Sequence, residues 1–270
     1  MKKVVKISVF VSVAILLLIA LFLNKNADIS EQKNVEALAL EPKYSIVNEL
    51  PSYYGDTRGY LAKPSSPGVY PGIIMIHEWW GLNENIRETA NQLASQGYIV
   101  LAVDLYNGEV ALNSTRAGEL SSGVRKNSQK AIENMQAAIS YLKEKQKASK
   151  IASLGWCFGG GQSLQISLNS KDVDATIIYY GNLVTNKTQL SGIENPVLGI
   201  FGSEDTSIPV SSVMEFDKLL DELGINNEIY IYEGVGHAFA NPSGMNYAPN
   251  ETEDAWIKTL NFLDKNLKSS

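Results

Sequence analysis

The stretch from Leu154 to Gly161, Leu-Gly-Trp-Cys-Phe-Gly-Gly-Gly, constrains the fold of this chain most. It contains the only cysteine of the chain, with a glycine two positions before it and two positions after it. An apolar run precedes the stretch and apolar residues recur after it, which predicts a buried strand followed by a buried helix. Cys157 then lies in the tight turn between them, where glycines leave room for a sharp reversal of the backbone. The pattern is typical of a turn that exposes a nucleophile.

The same turn predicts a site for a developing negative charge. Backbone N–H groups at the start of a helix have no acceptor within that helix, so the N–H of Phe158 is available to a substrate oxygen. The alternative is that Cys157 is a small buried apolar residue, as single cysteines often are. The presence or absence of the other residues of a catalytic triad decides between the two interpretations.

Composition excludes several classes of function. At 270 residues with 44% hydrophobic content, the chain is long enough for one large α/β domain. A formal charge of −6 without a cluster of Lys and Arg argues against a nucleic-acid partner. One cysteine and two histidines argue against a disulfide, a thiolate metal site or a histidine-rich metal centre. We therefore expect catalysis without a metal or other cofactor, and the sequence specifies no oligomeric state.

Residues 1–23 form a predicted targeting segment. Three lysines precede an unbroken apolar run from Ile7 to Leu23, which is long for a signal peptide and at the short limit for a membrane span. No small residues suited to cleavage follow the run promptly, which favours an uncleaved anchor that holds the remainder outside the cytoplasm. Secretion after cleavage of a signal peptide is the alternative.

Residues 24–43 are polar, lack a period and are interpreted as a tether to a domain spanning 44–270. Asn-x-Ser/Thr triplets at Asn113, Asn186 and Asn250 would be accessible to glycosylation in an exported domain.

Within 44–270 the apolar pattern alternates between strands and helices. It predicts strands at Tyr44–Val47, Arg58–Ala62, Gly72–His77, Tyr98–Val103, Ile151–Leu154, Ala175–Tyr179, Val197–Phe201 and Glu228–Tyr232. It predicts helices at Asn85–Gln96, at Asn127–Lys147, after the cysteine turn, between the last three strands, and at Thr252–Leu267. Such alternation is typical of a mainly parallel sheet with helices on both faces, whose sites lie at the carboxyl ends of the strands.

Two further polar residues follow predicted strands. Asp205 lies on the loop after Val197–Phe201, with Glu204 as the alternative acid, and His237 lies on a glycine-containing loop after the strand that ends at Tyr232. The chain order of nucleophile, acid and histidine is that of α/β-hydrolases. The sequence therefore predicts a Cys157, Asp205 and His237 triad.

The loop after the first buried strand, His77-Glu78-Trp79-Trp80-Gly81, supplies the second candidate oxyanion group. In this fold that loop provides an N–H, so we assign the backbone of Trp79 to pair with that of Phe158. Glu78 is expected to point into the same pocket, with capping of a helix or loop as its alternative role. His77 is given no catalytic role.

These motifs together resemble the dienelactone hydrolase family over roughly residues 45–268. The resemblance comprises Gly-Trp-Cys-Phe-Gly-Gly, His-Glu-Trp-Trp-Gly, Asp-Leu-Tyr, Tyr-Tyr-Gly, the Asp205 loop and Gly-His-Ala-Phe-Ala. It implies an α/β-hydrolase fold with a Cys-His-Asp triad. It also implies that Glu78 contacts the cysteine at rest and is displaced when substrate enters, which generates the thiolate.

The chain departs from that family at the carboxylate-binding positions. The resemblance implies arginines just after Asp-Leu-Tyr and just after the His-x-Phe-Ala segment, where this chain has Asn107-Gly108 and Asn241. Arg116 or Arg125 could reach in from a nearby helical segment. Neutral short-chain esters or lactones are therefore expected to be preferred over carboxylate-bearing ones. The residues assigned to the substrate pocket are Trp80, Tyr106, Phe239 and Asn241.

The sequence thus predicts an exported, membrane-anchored hydrolase of small carboxylic esters or lactones. A thioesterase or a peptidase on the same site is one alternative. The other is a protein that keeps the fold for ligand binding or thiol redox sensing without catalysis.

Overall fold

The computed structural model describes residues 41–268. Its strands are β1 (Ile46–Glu49), β2 (Ser52–Tyr54), β3 (Thr57–Arg58), β4 (Tyr60–Pro64), β5 (Gly72–Ile76), β6 (Ile99–Val103), β7 (Ile151–Trp156), β8 (Ala175–Tyr179), β9 (Val197–Gly202) and β10 (Asn227–Tyr232). Its helices are α1 (Glu84–Ser95), α2 (Ser114–Lys126), α3 (Ser128–Glu144), α4 (Phe158–Asn169), α5 (Lys187–Leu190), α6 (Val210–Glu222) and α7 (Pro249–Leu263), followed by a π-helical turn at Asp264–Lys268.

Eight strands form one sheet in the order β1-β4-β6-β5-β7-β8-β9-β10, and β2 pairs with β3 separately. The six strands from β6 to β10 in that order run parallel, whereas β1 and β4 add an antiparallel edge. The chain passes from β5 to β6 on one side and then to β7 on the other. Strand order therefore reverses between β5 and β7, and ligands bind at such a switch point in open α/β sheets. The mainly parallel sheet predicted from the sequence is confirmed.

Helices cover the sheet and close two hydrophobic clusters against it. Ile74 of β5 and Ile139 of α3 belong to one cluster, and Phe201 of β9 and Phe216 of α6 belong to the other. The strands β5 to β9 are buried along their whole length, which explains why they are continuous apolar runs rather than alternating ones.

Element boundaries differ modestly from the sequence predictions, and α2 and the β2–β3 pair were not predicted. In α2 the buried face consists of Ala117 and Ser121, so the segment lacks the apolar period that reveals a helix. The helix predicted over 127–147 runs from Ser128 to Glu144, since Asn127 leaves helical geometry at φ −115° and ψ 45°. The last helix begins earlier than predicted, with Pro249 in its first turn.

The described part of the chain begins inside the predicted tether. The backbone N–H groups of Lys43 and Tyr44 donate to the Ser95 carbonyl at the end of α1, at 2.9 and 3.0 Å. The predicted anchor and residues 24–40 of the tether lie outside the described residues. Between residues 41 and 268, no helix is both long and apolar enough to cross a membrane.

Two of the three Asn-x-Ser/Thr asparagines cap helices. The Asn113 side chain accepts from the Arg116 N–H at the start of α2, and the Asn186 side chain accepts from the Gln189 N–H at the start of α5. Asn250 lies in the first turn of α7. The asparagines at 113 and 186 therefore have a local structural role in helix initiation.

Candidate active site

Cys157 occupies the turn between β7 and α4. Its backbone has φ 54° and ψ −116°, an uncommon conformation for a residue with a side chain. A hydrogen bond from the Cys157 N–H to the Tyr179 carbonyl, at 2.9 Å, anchors the turn to β8. Strained residues of this kind persist where the surrounding structure fixes them, and they cluster at functional sites.

Close backbone approach explains the glycines on both sides of the cysteine. A Cβ at Gly155 would lie 2.2 Å from the Gly159 carbonyl oxygen, so the strand and the helix could not meet. A Cβ at Gly159 would lie 2.3 Å from the carbonyl oxygen of Ile76, the last residue of β5. The second glycine thus lets the first turn of α4 pack directly against the segment that leads to Glu78 and Trp79.

The three predicted triad residues lie in one hydrogen-bonded row. His237 Nε2 is 3.1 Å from Cys157 Sγ, and His237 Nδ1 is 2.7 Å from Asp205 Oδ2. Asp205 is buried, and its second oxygen accepts from the N–H groups of Ser207 and Ile208 at 2.8 and 3.0 Å. Glu204, the alternative acid, has an exposed side chain. The acid that contacts the histidine is therefore Asp205.

Electrostatics favours a charged imidazole in this row. Burial lowers the pKa of His237, but hydrogen bonds that the ring donates to Asp205 and Cys157 outweigh it and raise the pKa to about 10. Burial raises the pKa of Asp205, but the hydrogen bonds of His237 and the Ile208 N–H hold it below the usual range. An ionised aspartate next to the ring both orients it and stabilises its protonated form.

The two predicted oxyanion donors lie on segments in direct contact. Phe158 is the first residue of α4, so its N–H has no acceptor within the helix. Trp79 follows β5 by three residues, on the segment against which Gly159 packs. Paired donors at a helix start and a neighbouring loop suit a carbonyl oxygen that becomes negative.

Glu78 is buried and hydrogen-bonded to a loop residue. Its Oε2 accepts from Asn241 Nδ2 at 2.5 Å, and Asn241 is itself buried. Burial raises the pKa of Glu78 to about 7, although the charge of His237 and the Asn241 hydrogen bond both oppose the rise. The contact of Glu78 with the cysteine that the resemblance implied is not among the hydrogen bonds of the described residues. Cys157 instead lies against His237.

Aromatic side chains lie on the segments that adjoin the Cys157 turn. Trp79 and Trp80 are half-buried and pack with ring centroids 5.0 Å apart. Tyr106 lies 5.7 Å from Phe158, ring centroid to ring centroid. Phe239, predicted to line the pocket, is fully buried against Tyr180 and Tyr232. The Phe239 side chain therefore packs in the core under the loop that carries His237. The Asn241 side chain is also buried and contacts Glu78.

His77 is fully buried and makes structural hydrogen bonds. Its Nε2 accepts from the Leu105 N–H at 3.2 Å, which leaves Nδ1 to donate to the Glu78 carbonyl at 2.6 Å. Burial lowers its pKa, so the ring is neutral. His77 thus ties the loop after β5 to the loop after β6.

Tyr180 is a site residue that the sequence reasoning did not single out. Its backbone has φ 36°, its ring packs edge-on to His237 at 5.3 Å, and its hydroxyl is buried without a hydrogen-bond partner of standard geometry. The available signals were the Tyr-Tyr-Gly motif, to which it belongs, and its position directly after β8, beside the strand that leads to Cys157.

The two arginines considered for anion binding differ in their surroundings. Arg116 is paired with Glu109 and Glu119 at 2.6 and 2.7 Å. Arg125 donates to Ser121 Oγ at 3.1 Å and lies 5.9 Å from the centre of the Phe158 ring. No salt bridge involves Arg125 within residues 41–268. Of the two, Arg125 is the cation that lies over the ring of Phe158, the residue after Cys157.

Comparisons with known proteins agree with this geometry. Residues 57–267 match the model of the dienelactone hydrolase family. Protein usf of Aquifex pyrophilus is 32% identical, covering 78% of this chain and 94% of that protein. A protein of Aquifex aeolicus named "Putative carboxymethylenebutenolidase" is 29% identical, with 78% of this chain and 94% of that protein covered. The crystal structure of the dienelactone hydrolase-like promiscuous phosphotriesterase P91, from metagenomic libraries, superposes with a TM-score of 0.76 at 21% identity, covering 82% of this chain and 99% of that one. The chain therefore belongs to the dienelactone hydrolase family and is a hydrolase with the α/β-hydrolase fold.

Proposed function

We propose that this chain hydrolyses carboxylic esters or lactones through a covalent intermediate on Cys157. The observation that carries the proposal is the row from Cys157 Sγ to His237 Nε2 at 3.1 Å and from His237 Nδ1 to Asp205 Oδ2 at 2.7 Å, set at a strained turn. A nucleophile, a base and an orienting acid within hydrogen-bond reach are the requirements for nucleophilic acyl transfer. The name of the Aquifex aeolicus relative, which denotes a lactone hydrolase, is consistent with this chemistry.

The reaction has two steps, the formation of an acyl thioester on Cys157 and its hydrolysis, and His237 transfers the proton in both. The Cys157 thiol gives its proton to His237 Nε2 and its sulfur attacks the ester carbonyl carbon, while the N–H groups of Phe158 and Trp79 stabilise the oxyanion. The His237 imidazolium gives its proton to the departing alkoxide, which leaves an acyl thioester. A water molecule then loses a proton to His237 and attacks the thioester, and the proton returns as the acid and the thiol are released.

Substrate profiling tests the proposal. We expect the full-length chain to hydrolyse chromogenic esters and lactones with kcat/KM well above that for matched thioesters and peptides, and Cys157→Ala to remain folded while losing several orders of magnitude in rate. Higher kcat/KM on thioesters or peptides would assign the site to those substrates. Failure on all classes would favour a binding or redox-sensing role and would contradict the proposal.

We also propose that residues 44–270 form the catalytic domain and lie outside the cytoplasm. Residues 24–43 tether this domain to a membrane anchor at residues 1–23. The apolar run and its flanking lysines support this arrangement. The expressed chain should then pellet with membranes and resist extraction by carbonate. A soluble mature chain beginning near residue 28 would show that the segment is a cleaved signal peptide.

A further inference from the structure

A groove of about 470 Å³ lies beside His237, between the loop that follows β9 and the loop that follows β10. A space of this volume is within the range of small-molecule sites. The side chains that line it include Glu204, Thr206, His237, Met245, Asn246 and Tyr247. Cys157 is not one of the lining residues, so the groove adjoins the base of the proposed reaction rather than the nucleophile.

Hydrogen bonds between the loops give the groove a fixed shape. The Glu204 N–H donates to the Val235 carbonyl at 2.9 Å, which joins the loop of the acid to the loop of the histidine. Asn246 Nδ2 donates to the His237 carbonyl at 2.9 Å, which holds the opposite wall against the histidine. The two walls approach each other at Gly236, where a Cβ would lie 3.6 Å from Asn246 Nδ2 and 3.8 Å from the Glu204 carbonyl oxygen. The groove is therefore built by the backbone of the folded loops.

The groove combines one negative charge with apolar surface. Glu204 is exposed and forms no salt bridge in the part of the chain that the structure describes. Met245 and Tyr247 are exposed although both side chains are large and apolar over most of their surface. A carboxylate, an aromatic ring and a polarizable thioether together suit an alkylammonium group. The charge of the groove thus favours a cation over an anion.

The position of the groove suits the alcohol portion of an ester. In the tetrahedral intermediate the oxyanion faces the N–H groups of Phe158 and Trp79, and the departing oxygen must lie within reach of His237, which protonates it. The carbon chain attached to that oxygen then continues along the surface next to His237, whose side chain is 28% exposed. The groove provides such a surface.

We propose that this groove, which we call the alcohol groove, binds the alcohol portion of the ester and that Glu204 makes it selective for alcohols that carry an ammonium group. The inference rests on the proposed function, since His237 must act on the departing oxygen. When the C–O bond of the ester breaks, His237 gives its proton to the alkoxide and becomes neutral. The ammonium group then faces Glu204 without an imidazolium beside it. This selectivity concerns the alcohol alone, and the acyl portion is still expected to be neutral.

Two butyrate esters of the same shape test the charge selectivity of the alcohol groove. Butyrylcholine carries a trimethylammonium group, and 3,3-dimethylbutyl butyrate has a neutral tert-butyl group in its place. The ratio of their kcat/KM values is compared between full-length wild type and Glu204→Gln, because the intrinsic reactivities of the esters cancel in that comparison. We expect Glu204→Gln to lower the ratio about threefold to fivefold at low salt, as for an exposed ion pair, and less at about 0.5 M salt. Glu215→Gln, at an exposed position of α6 outside the groove, should keep the wild-type ratio.

Substitution of Met245 tests whether the alcohol portion lies in the groove. Its side chain is fully exposed, so its removal should not affect folding. We expect Met245→Ala to lower kcat/KM about threefold for 3,3-dimethylbutyl butyrate, because apolar contact with the alcohol is lost. The value for methyl butyrate should stay unchanged, since a methyl group does not fill the groove. Met214→Ala, at an exposed methionine of α6, is the matched control and should leave both values unchanged.

Binding of choline separates this inference from the proposed function. Saturation-transfer NMR on full-length Cys157→Ala requires no hydrolysis, and we expect choline to bind and Glu204→Gln to weaken its binding about threefold or more in that background. Choline binding that depends on Glu204, in a chain that turns over no ester, would overturn the proposed function alone. An ester ratio that is the same in wild type and Glu204→Gln, or choline binding that ignores the substitution, would overturn the assignment of the alcohol groove.

Discussion

The carboxyl group of Glu78 is buried beside His237, and burial raises its pKa from 4.5 to about 7. A carboxyl pKa that is higher in the folded state means that the folded protein binds the proton more tightly. The stability of the fold therefore falls as pH rises from about 4.5 to about 7 and stays lower above that. His237 affects stability over a different pH range. Its pKa is raised from 6.5 to about 10, so its contribution to the stability of the fold is complete below pH 6.5 and is lost as pH rises through 10.

Substitution of Glu78 by glutamine should remove this buried charge. We expect Glu78→Gln to increase the free energy of unfolding at pH 8 by as much as about 3 kcal/mol, with a difference that shrinks toward zero at pH 4.5. Glutamine keeps an oxygen for the Asn241 hydrogen bond. Urea titrations at both pH values measure the effect, with Glu88→Gln at an exposed position of α1 as the control. A destabilised variant at pH 8 would show that the ionised carboxyl is stabilised by its surroundings.

At the scale of elements, the site depends on the contact between the start of α4 and the end of β5. The carbonyl of Ile76 approaches Gly159 too closely for any side chain, and the same approach brings the two predicted oxyanion segments together. Packing of this kind cannot be relieved by rotating a flexible side chain, because the obstructing atoms are backbone.

A pair of glycine-to-alanine substitutions tests the contact. Gly159→Ala should destabilise the fold by about 3 kcal/mol or more, as overpacking against a backbone does, and should abolish hydrolysis. Gly118→Ala, in α2 with open space around its Cα, should instead stabilise by about 0.5–1 kcal/mol. Thermal unfolding and ester turnover of both variants give the answer. Wild-type stability in Gly159→Ala would mean that α4 and β5 are not packed as described.

Helix α2 places a positive charge near the site, because its Arg125 lies over the ring of Phe158. Neutral substrates are still expected to be preferred overall, because Gly108 and Asn241 offer no charge. We expect Arg125→Ala to lower kcat/KM for a carboxylate-bearing ester about fivefold relative to its neutral analogue, a modest effect since the guanidinium is exposed and screened. Arg116→Ala should leave the ratio of the two kcat/KM values unchanged, because the Arg116 side chain already forms salt bridges with Glu109 and Glu119. Equal effects of the two substitutions would contradict this distinction.

For the molecule as a whole, the sheet and the grouping of Cys157, Asp205 and His237 followed from local patterns. The buried parallel strands are apolar runs bounded by glycine and polar residues. Cys157 directly follows β7, whereas Asp205 lies on the loop after β9 and His237 on the loop after β10. Strands of a parallel sheet end at the same edge, so Cys157, Asp205 and His237 could be grouped without any knowledge of long-range contacts.

The remaining features of the site could be recognised only in the folded structure. Asn241 and Glu78 are far apart in the chain, and only the folded loop shows that an asparagine assigned to the pocket bonds a buried acid. Phe239 lies next but one to His237, yet its side chain faces the core, a direction that a loop sequence does not specify. The sequence left Arg116 and Arg125 as alternatives, and only the folded α2 shows that Arg125 is the one that lies over the Phe158 ring.

Capture of the acyl-enzyme shows whether Cys157 is the nucleophile. The full-length chain is mixed with a chromogenic ester, quenched in acid within the first turnovers and digested for mass spectrometry. We predict an acyl group on the peptide that contains Cys157, formed at the rate of chromophore release, and none in Cys157→Ala. Hydrolysis that continues in Cys157→Ala, or an acyl group carried by a different residue of the wild-type chain, would show that Cys157 is not the nucleophile.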